Sequence, residues 1–441
     1  MAAGWIVRGL VAALALAVTA DAQRLRDSIR RPRGIYAVDV LDEGRPRRAA
    51  DFDAMLNNQA VSGLAIRTFW SSLQPAKDRY DFAKLDAAFA SAVATHKTIQ
   101  LILVPGFGTP SWVLDELTSC DDLRADASRP RGRGGRGARG GGGGRAQRPR
   151  TSTSCGKQSF EVSEGGRRGQ QRVLPLPWNP AYKKYWRMFL TEVASLYGSN
   201  DAFVSIAVTG PTAESAEIIL PRSGNQLERW AELLELSYSD PSYHRTDKAF
   251  VEEWDAAVTM FAEVFKNVTL VVTRGSGLLN FSPGQGGAAQ ATIMSQFARH
   301  DVGSNAKATQ TSGMKACRST MAGIRGVKEM SADGSLKPPV LGGAQFDTSF
   351  SQKPAVEGCA ASCDADSATC RGVTPKDALA NVLTVYFDGT PAASFYAASK
   401  GSAPMNYLQV YARDVVYAGT DPAAQALLEQ ASQRILAQAR E

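Results

Sequence analysis

The feature that most constrains the fold is the alternation of short apolar segments with longer segments of helical periodicity. Eight short segments rich in β-branched and aromatic residues predict strands. They are residues 34–41, 61–70, 98–107, 203–210, 267–275, 305–313, 338–347 and 392–399. Strands that alternate with helices predict parallel pairing through helical crossovers. Eight such units predict an α/β fold, a (β/α)8 or TIM barrel.

The helical segments carry apolar residues at spacings of three and four. They cover residues 81–96, 181–198, 251–266, 375–387 and 421–440, with 322–334 as the candidate between the sixth and seventh strands. An open doubly wound sheet is the alternative. It would be expected to carry a glycine-rich phosphate-binding turn after its first strand, and "DVLDEGRPRRA" supplies none. The barrel is therefore favoured, and no cofactor is predicted.

The amino-terminal segment has the layout of a secretory signal peptide. "MAAGWIVRGLVAALALAVTADAQ" places one arginine before an apolar run that ends in Ala20-Asp21-Ala22. The run is short for a membrane span, although an uncleaved anchor is the alternative. We expect a signal peptide over residues 1–22 and a secreted or periplasmic barrel domain over residues 23–441. The membrane would be contacted only through the signal peptide, and the oligomeric state is left open.

The basic charge of the chain is concentrated in one insertion. The whole sequence has 50 Lys and Arg against 43 Asp and Glu, a net charge of +7. Residues 121–172 hold 13 of the basic and 5 of the acidic residues, which leaves 37 and 38 for the rest. Because this Arg/Gly-rich segment lacks interleaved aromatic residues, nucleic acid is not an expected partner. Residues 118–172 are predicted to form a long, disordered, low-complexity insertion after the third strand.

The six cysteines are more typical of disulfides than of a metal site. None of them forms a CxxC pair and the three histidines lie elsewhere, so no metal site is predicted. An exported protein can form disulfides. We expect one between Cys120 and Cys155 across the insertion. A further disulfide is expected among Cys317, Cys359, Cys363 and Cys370, with its connectivity open.

Candidate site residues follow the carboxyl ends of the predicted strands, where TIM-barrel active sites lie. Aromatic rings can cover the apolar face of a sugar, and amides, arginine and carboxylates can bind its hydroxyls. A carbohydrate substrate is therefore the expected partner. For the tryptophans, burial in the core is the alternative. The candidates for substrate binding are Arg67, Trp70, Trp112, Trp178, Gln310 and Gln345, and those for catalysis are Glu217, Glu214 and Asp347.

Three motifs resemble clan A glycoside hydrolases. "GLAIRTFWSSLQPAKDRYDFAKLDAAFASAV" resembles the second-strand region of the beta-galactosidase-like members, and "LVPGFGTPSWV" resembles their third-strand end. "VTGPTAESAEIILP" is similar to the fourth-strand loop of the beta-amylase-like members. The resemblance implies a TIM barrel that hydrolyses O-glycosidic bonds with two carboxylates.

The sequence departs from this family at two places. The Asn-Glu pair that many members carry at the fourth strand is absent, and Gln345 stands where a seventh-strand glutamate is expected. Glutamine cannot act as a nucleophile. Glu217, followed by apolar residues, is favoured over Glu214 as the general acid, with neither catalytic as a third possibility. Either Asp347 serves as the second carboxylate, or the site is altered, or the chain is a carbohydrate-binding barrel without activity.

Overall fold

The computed structural model describes residues 30–41, 49–121, 155–162, 169–222, 224–277 and 405–438, with short segments between 279 and 383. The signal-peptide prediction, the tract 129–150 and the strand predicted at 392–399 lie outside the described residues. So do Asp347 and the four cysteines from Cys317 to Cys370.

The strands are, in chain order, β1 Gly34–Val40, β2 Val61–Phe69, β3 Thr98–Val104, β4 Lys157–Glu161, β5 Gln171–Pro175, β6 Phe203–Ala207, β7 Glu217–Ile219, β8 Thr269–Gly277, β9 Thr309–Met314, β10 Glu329–Met330, β11 Leu336–Lys337, β12 Gly342–Phe346 and β13 Met405–Tyr411. Eight of them are parallel and pair in a closed ring in the order β1, β2, β3, β6, β8, β9, β12, β13, and β13 pairs back with β1. The predicted TIM barrel is confirmed.

The eighth barrel strand is not the predicted one. Met405–Tyr411 closes the ring, so the assignment of this strand to residues 392–399 was wrong. Its Tyr407, Leu408 and Val410 are fully buried. The predicted helix 322–334 is also wrong in part, because β10 lies within it and pairs antiparallel with β11.

In the described part of the chain, helices follow β1, β2, β3, β5, β7 and β13. They are α1 Ala49–Asn57, α2 Trp70–Leu73, α3 Ala83–Ala94, α4 Ser111–Asp115, α5 Pro180–Tyr197, α6 Gln226–Ser237, α7 Lys248–Val264, α8 Ala412–Thr420 and α9 Pro422–Gln438. The sequence analysis missed α1, α6 and α8. The start of α5 shows the local logic: the Asn179 side chain accepts from the Tyr182 N–H at 3.1 Å, and Pro180 occupies the first turn. Within the described ranges, no helix is both long and apolar enough to span a bilayer.

Two hydrophobic layers hold the barrel together. The outer layer packs the helices against the strands, and it contains the largest buried side chains, among them Trp70, Trp230 and Trp254. The inner layer fills the barrel with Tyr36, Val38, Ala65, Val204 and Tyr407. Above these residues the Gln409 amide donates to Gln100 Oε1 at 2.7 Å across the interior. The barrel is therefore a packed core, as in other barrels of this size, and any site lies at its end.

The ends of the insertion are folded. Cys120 and Cys155 form the expected disulfide, which brings both ends of the Arg/Gly-rich tract together. After it, β4 and β5 pair as an antiparallel hairpin. Phe160 of this hairpin stacks on Trp230 of α6 at 4.5 Å, and Arg229 donates to the Ser159 carbonyl at 2.7 Å. The prediction of an irregular segment throughout 118–172 is thus corrected for residues 155–162 and 169–172.

Candidate functional site

The two candidate glutamates follow β6 at the carboxyl end of the barrel strands: Glu214 lies in the connection to β7, and Glu217 is the first residue of β7. We call residues 208–217 the glutamate loop. The loop leaves the barrel with the Val208 N–H donating to the Val271 carbonyl at 2.7 Å. It closes on itself because the Ala213 N–H donates to the Ile219 carbonyl at 2.9 Å and the Thr212 hydroxyl to the Ser215 carbonyl at 2.8 Å. These bonds fix the backbone on both sides of Glu214.

The glutamate loop also packs closely against the turn that follows β3. The Phe107 N–H donates to the Ala213 carbonyl at 2.8 Å. Gly106 has a φ of +62°, and a Cβ there would lie 2.4 Å from the Ala213 oxygen and 2.5 Å from the Thr212 oxygen. Only glycine permits both this conformation and this approach. Gly106 was not among the sequence candidates, although "PGFG" after a strand was the signal that could have identified it.

Arg67 joins β2 to the same loop. It is two residues beyond Ala65, which faces the barrel interior, so strand alternation places Arg67 on the interior face. One guanidinium nitrogen donates to the backbone carbonyl of Glu214. Its Nε is buried and has no hydrogen-bond partner among the described residues. Arg67 thus contacts the glutamate loop. Its predicted role in substrate binding stays a prediction.

The two glutamates are held differently. Glu214 is half-buried in the loop, and its carbonyl is bound by Arg67. Glu217 is the first residue of β7, and its backbone pairs with Thr273 of β8. The side chain of Glu217 lies outside what the structure describes. Both residues therefore lie on a backbone at the carboxyl end of the barrel, where the sequence analysis expected them.

The three candidate tryptophans do not share one surface. Trp70 is fully buried and donates its indole N–H to Gln74 Oε1 at 2.9 Å. Its predicted contact with substrate is corrected: its side chain belongs to the core, where α3, α4 and α5 cover β2 and β3. Trp112 is half-buried, edge-on to Trp70 at 6.4 Å. Trp178, also half-buried, packs against Phe250 at 5.6 Å.

The two candidate glutamines lie on barrel strands. Gln310 of β9 pairs its backbone with Val272 of β8 and Gly342 of β12. Gln345 of β12 pairs with Gln409 of β13, so the glutamine that replaces the expected glutamate is on the seventh barrel strand. Their side chains lie outside what the structure describes.

Comparison with known proteins gives similar folds at low identity. No protein-family model and no curated protein sequence matches the chain. Among solved structures, the catalytic domain of beta-amylase from Paenibacillus polymyxa is 8% identical, with a TM-score of 0.45 over 93% of this chain and all of that one. Xylanase 10C from Cellvibrio japonicus is 11% identical, with a TM-score of 0.41 over 93% of this chain and 72% of that one.

A beta-galactosidase from the psychrophilic Marinomonas ef1 is 14% identical, with a TM-score of 0.35 over 64% of this chain and 40% of that one. Scores this low carry no residue's role to this chain. The barrel rests on the strand pairing described above, and the function on the residues at its carboxyl end.

Proposed function

We propose that the chain is an exported glycoside hydrolase that cleaves O-glycosidic bonds of oligo- or polysaccharides. The observation that carries the proposal is the glutamate loop: two carboxylate residues lie at the carboxyl end of a closed TIM barrel, on a backbone fixed by Arg67 and the turn at Gly106. Glycoside hydrolysis requires such a fixed geometry, because a carboxylic acid must meet the leaving oxygen at hydrogen-bond distance.

Glu217 is the proposed general acid. The residues that follow it are Ile218, Ile219 and Leu220, and apolar surroundings raise the pKa of a carboxyl so that it holds a proton near neutral pH. It would donate this proton to the glycosidic oxygen as the bond to the anomeric carbon breaks. A second carboxylate, Asp347 or Glu214, would attack the anomeric carbon or activate a water. No cofactor is needed for this chemistry.

The test is the dependence of the rate on the leaving group. Glutamine in place of Glu217 keeps the shape but has no proton to donate, and general acid catalysis is worth about 10²–10⁴-fold in rate. We expect Glu217→Gln to lower kcat by that factor on natural oligosaccharides, and far less on activated aryl glycosides, whose leaving groups need no proton. Glu214→Gln is the comparison variant, and as a second carboxylate Glu214 would be needed on both kinds of substrate. If it shows the leaving-group pattern instead, Glu214 is the acid; equal losses on both substrates refute general acid catalysis by Glu217.

A carbohydrate-binding barrel without activity is the second candidate function. It is favoured by Gln345, which occupies the seventh barrel strand where a glutamate nucleophile is expected. In that case the wild-type protein binds oligosaccharides and hydrolyses none of a broad panel of glycosides. Restoration of hydrolysis by Gln345→Glu would support loss of the second carboxylate as the reason.

A further inference from the structure

A pocket outside the barrel mouth carries polar groups that no part of the proposed mechanism uses. It lies between the outer helices α5 and α7, beside the start of the glutamate loop, and has a volume of about 80 Å³. Its apolar wall includes Leu174, Pro177, Leu220, Ala257 and Met260.

Six polar side chains line this pocket: Tyr182 and Thr212, which make other hydrogen bonds, and Lys183, Trp186, Thr209 and Glu253. Glu253 of α7 and Lys183 of α5 form an ion pair, with Nζ 2.8 and 3.0 Å from the two carboxylate oxygens. Thr209 and Trp186 are 1% and 2% exposed, and neither the Thr209 hydroxyl nor the Trp186 indole N–H has a hydrogen-bond partner among the described residues. A buried polar group without a partner costs free energy of folding, so these two groups indicate an occupant.

The polar groups define the chemistry of the occupant. Lys183 and Trp186 donate, Glu253 accepts, and the Thr209 hydroxyl can do both. A charged ligand is disfavoured because the pocket already holds one cation and one anion in a pair. A hydroxyl group is the neutral group that satisfies donors and acceptors together, and the apolar wall suits the carbon chain that bears it. Burial raises the pKa of Glu253, while the neighbouring Lys183 acts in the opposite direction.

The volume limits the size of the occupant. Ligand sites for drug-sized molecules are about 300–1,000 Å³, and a cavity of about 150 Å³ holds benzene. A complete sugar ring therefore does not fit within 80 Å³. A carbon chain of a few atoms does, either as a free polyol or as the exocyclic hydroxymethyl arm of a sugar whose ring stays outside.

We propose that the pocket between α5 and α7 binds a short, neutral, hydroxylated carbon chain, through Lys183, Glu253, Thr209 and Trp186. The alternative occupant is water, since about 10–15 Å³ of such space suffices for one molecule. This proposal does not depend on glycosidase activity, because its test measures binding of a small polyol.

The experiment uses the full chain and two probes, glycerol and maltose, with binding followed by saturation-transfer NMR. Ala256 lines the rim of the pocket and is exposed, so Ala256→Leu fills the opening without disturbing the core. Ala87→Leu on α3 is the matched control, since it adds the same side chain at an exposed helical alanine outside the pocket. Thr209→Val removes the hydroxyl and keeps the shape.

We expect glycerol to bind the wild type and Ala87→Leu equally, to bind Thr209→Val about 2- to 10-fold more weakly, and to lose most binding in Ala256→Leu. A parallel loss of maltose binding identifies the sugar arm as the occupant, whereas maltose binding that Ala256→Leu leaves unchanged identifies the free polyol. Absence of glycerol binding to the wild type, or equal binding to Ala256→Leu, overturns the proposal and leaves water as the occupant.

Discussion

Replacement of Gly106 by alanine tests whether the turn after β3 positions the glutamate loop. Gly106 and Gly224 have the same φ of +62°, but a Cβ at Gly224 meets nothing within 4 Å. A non-glycine residue in the left-handed region costs about 1–2 kcal/mol. Gly224→Ala therefore measures the conformational cost alone, and Gly106→Ala measures this cost together with the collision against the loop.

The collision can be sized from the structure. The new Cβ would lie 2.4 Å from the Ala213 oxygen, and ordinary contact begins at 3.4 Å, so the loop must move by about 1 Å. Forcing extra atoms into a packed site costs about 1–3 kcal/mol. We expect Gly224→Ala to lower the free energy of unfolding by about 1–2 kcal/mol and Gly106→Ala by about 2–5 kcal/mol.

The assays are equilibrium urea unfolding and turnover. A misplacement of about 1 Å in a catalytic constellation costs about 10²-fold in rate. Gly106→Ala should therefore lose about two orders of magnitude in kcat on an oligosaccharide substrate, while Gly224→Ala stays within a factor of two or so of the wild type. Equal unfolding free energies for the two variants would refute the close approach, and full activity of folded Gly106→Ala would refute its role in positioning.

Three further predictions concern the insertion and Glu253. Cys120 and Cys155 are 35 residues apart, so their replacement by alanine should lower the free energy of unfolding by about 4 kcal/mol; no effect in urea unfolding would contradict a formed disulfide. Deletion of residues 129–150 should change the free energy of unfolding by less than about 1 kcal/mol. A larger loss of unfolding free energy would show that the tract packs. Burial raises the pKa of Glu253 above its usual 4.5, so folding favours the protonated carboxyl. The free energy of unfolding should therefore fall as the pH rises through the raised pKa. Glu253→Gln should flatten this fall when unfolding is measured as a function of pH.

The strands were predictable where burial on both faces leaves a continuous apolar run. "TIQLILV" and "GIYAVDV" are typical of buried strands, because helices cover their outer face and the filled barrel covers their inner face. The eighth strand, "MNYLQVY", was missed because Asn406 and Gln409 both interrupt its apolar residues, whereas "TIQLILV" keeps an unbroken apolar run from Leu101 to Val104 after its own Gln100. Inside the barrel Gln409 bonds Gln100. A polar pair inside a barrel cannot be recognised from one strand, because each partner compensates the other only in the folded state.

The site was predictable in position but not in contacts. Strand order places the "VTGPTAESAE" segment at the carboxyl end of the barrel, and this follows from topology. By contrast, the sequence around Trp70 resembles that of a tryptophan that binds a sugar ring. Only the structure shows that Trp70 belongs to the core, because Trp186 and Phe189 pack against it at 5.1 and 5.6 Å. An aromatic side chain contributes the same apolar area in the core as on a sugar-binding surface, so the sequence around it cannot distinguish the two positions.

Arg67 connects β2 with the glutamate loop in the proposed site. Its side chain crosses from β2 to the Glu214 carbonyl, so it bears on the position of the loop before any substrate is bound. Its buried Nε keeps one donor without a partner among the described residues. A guanidinium has five donors in one plane, so a guanidinium that donates from one nitrogen to the loop keeps other donors for an acceptor such as a sugar hydroxyl. Loop position and sugar binding are therefore compatible roles for Arg67. Lysine has no second nitrogen fixed in the same plane, so Arg67→Lys would retain at most one of these two roles.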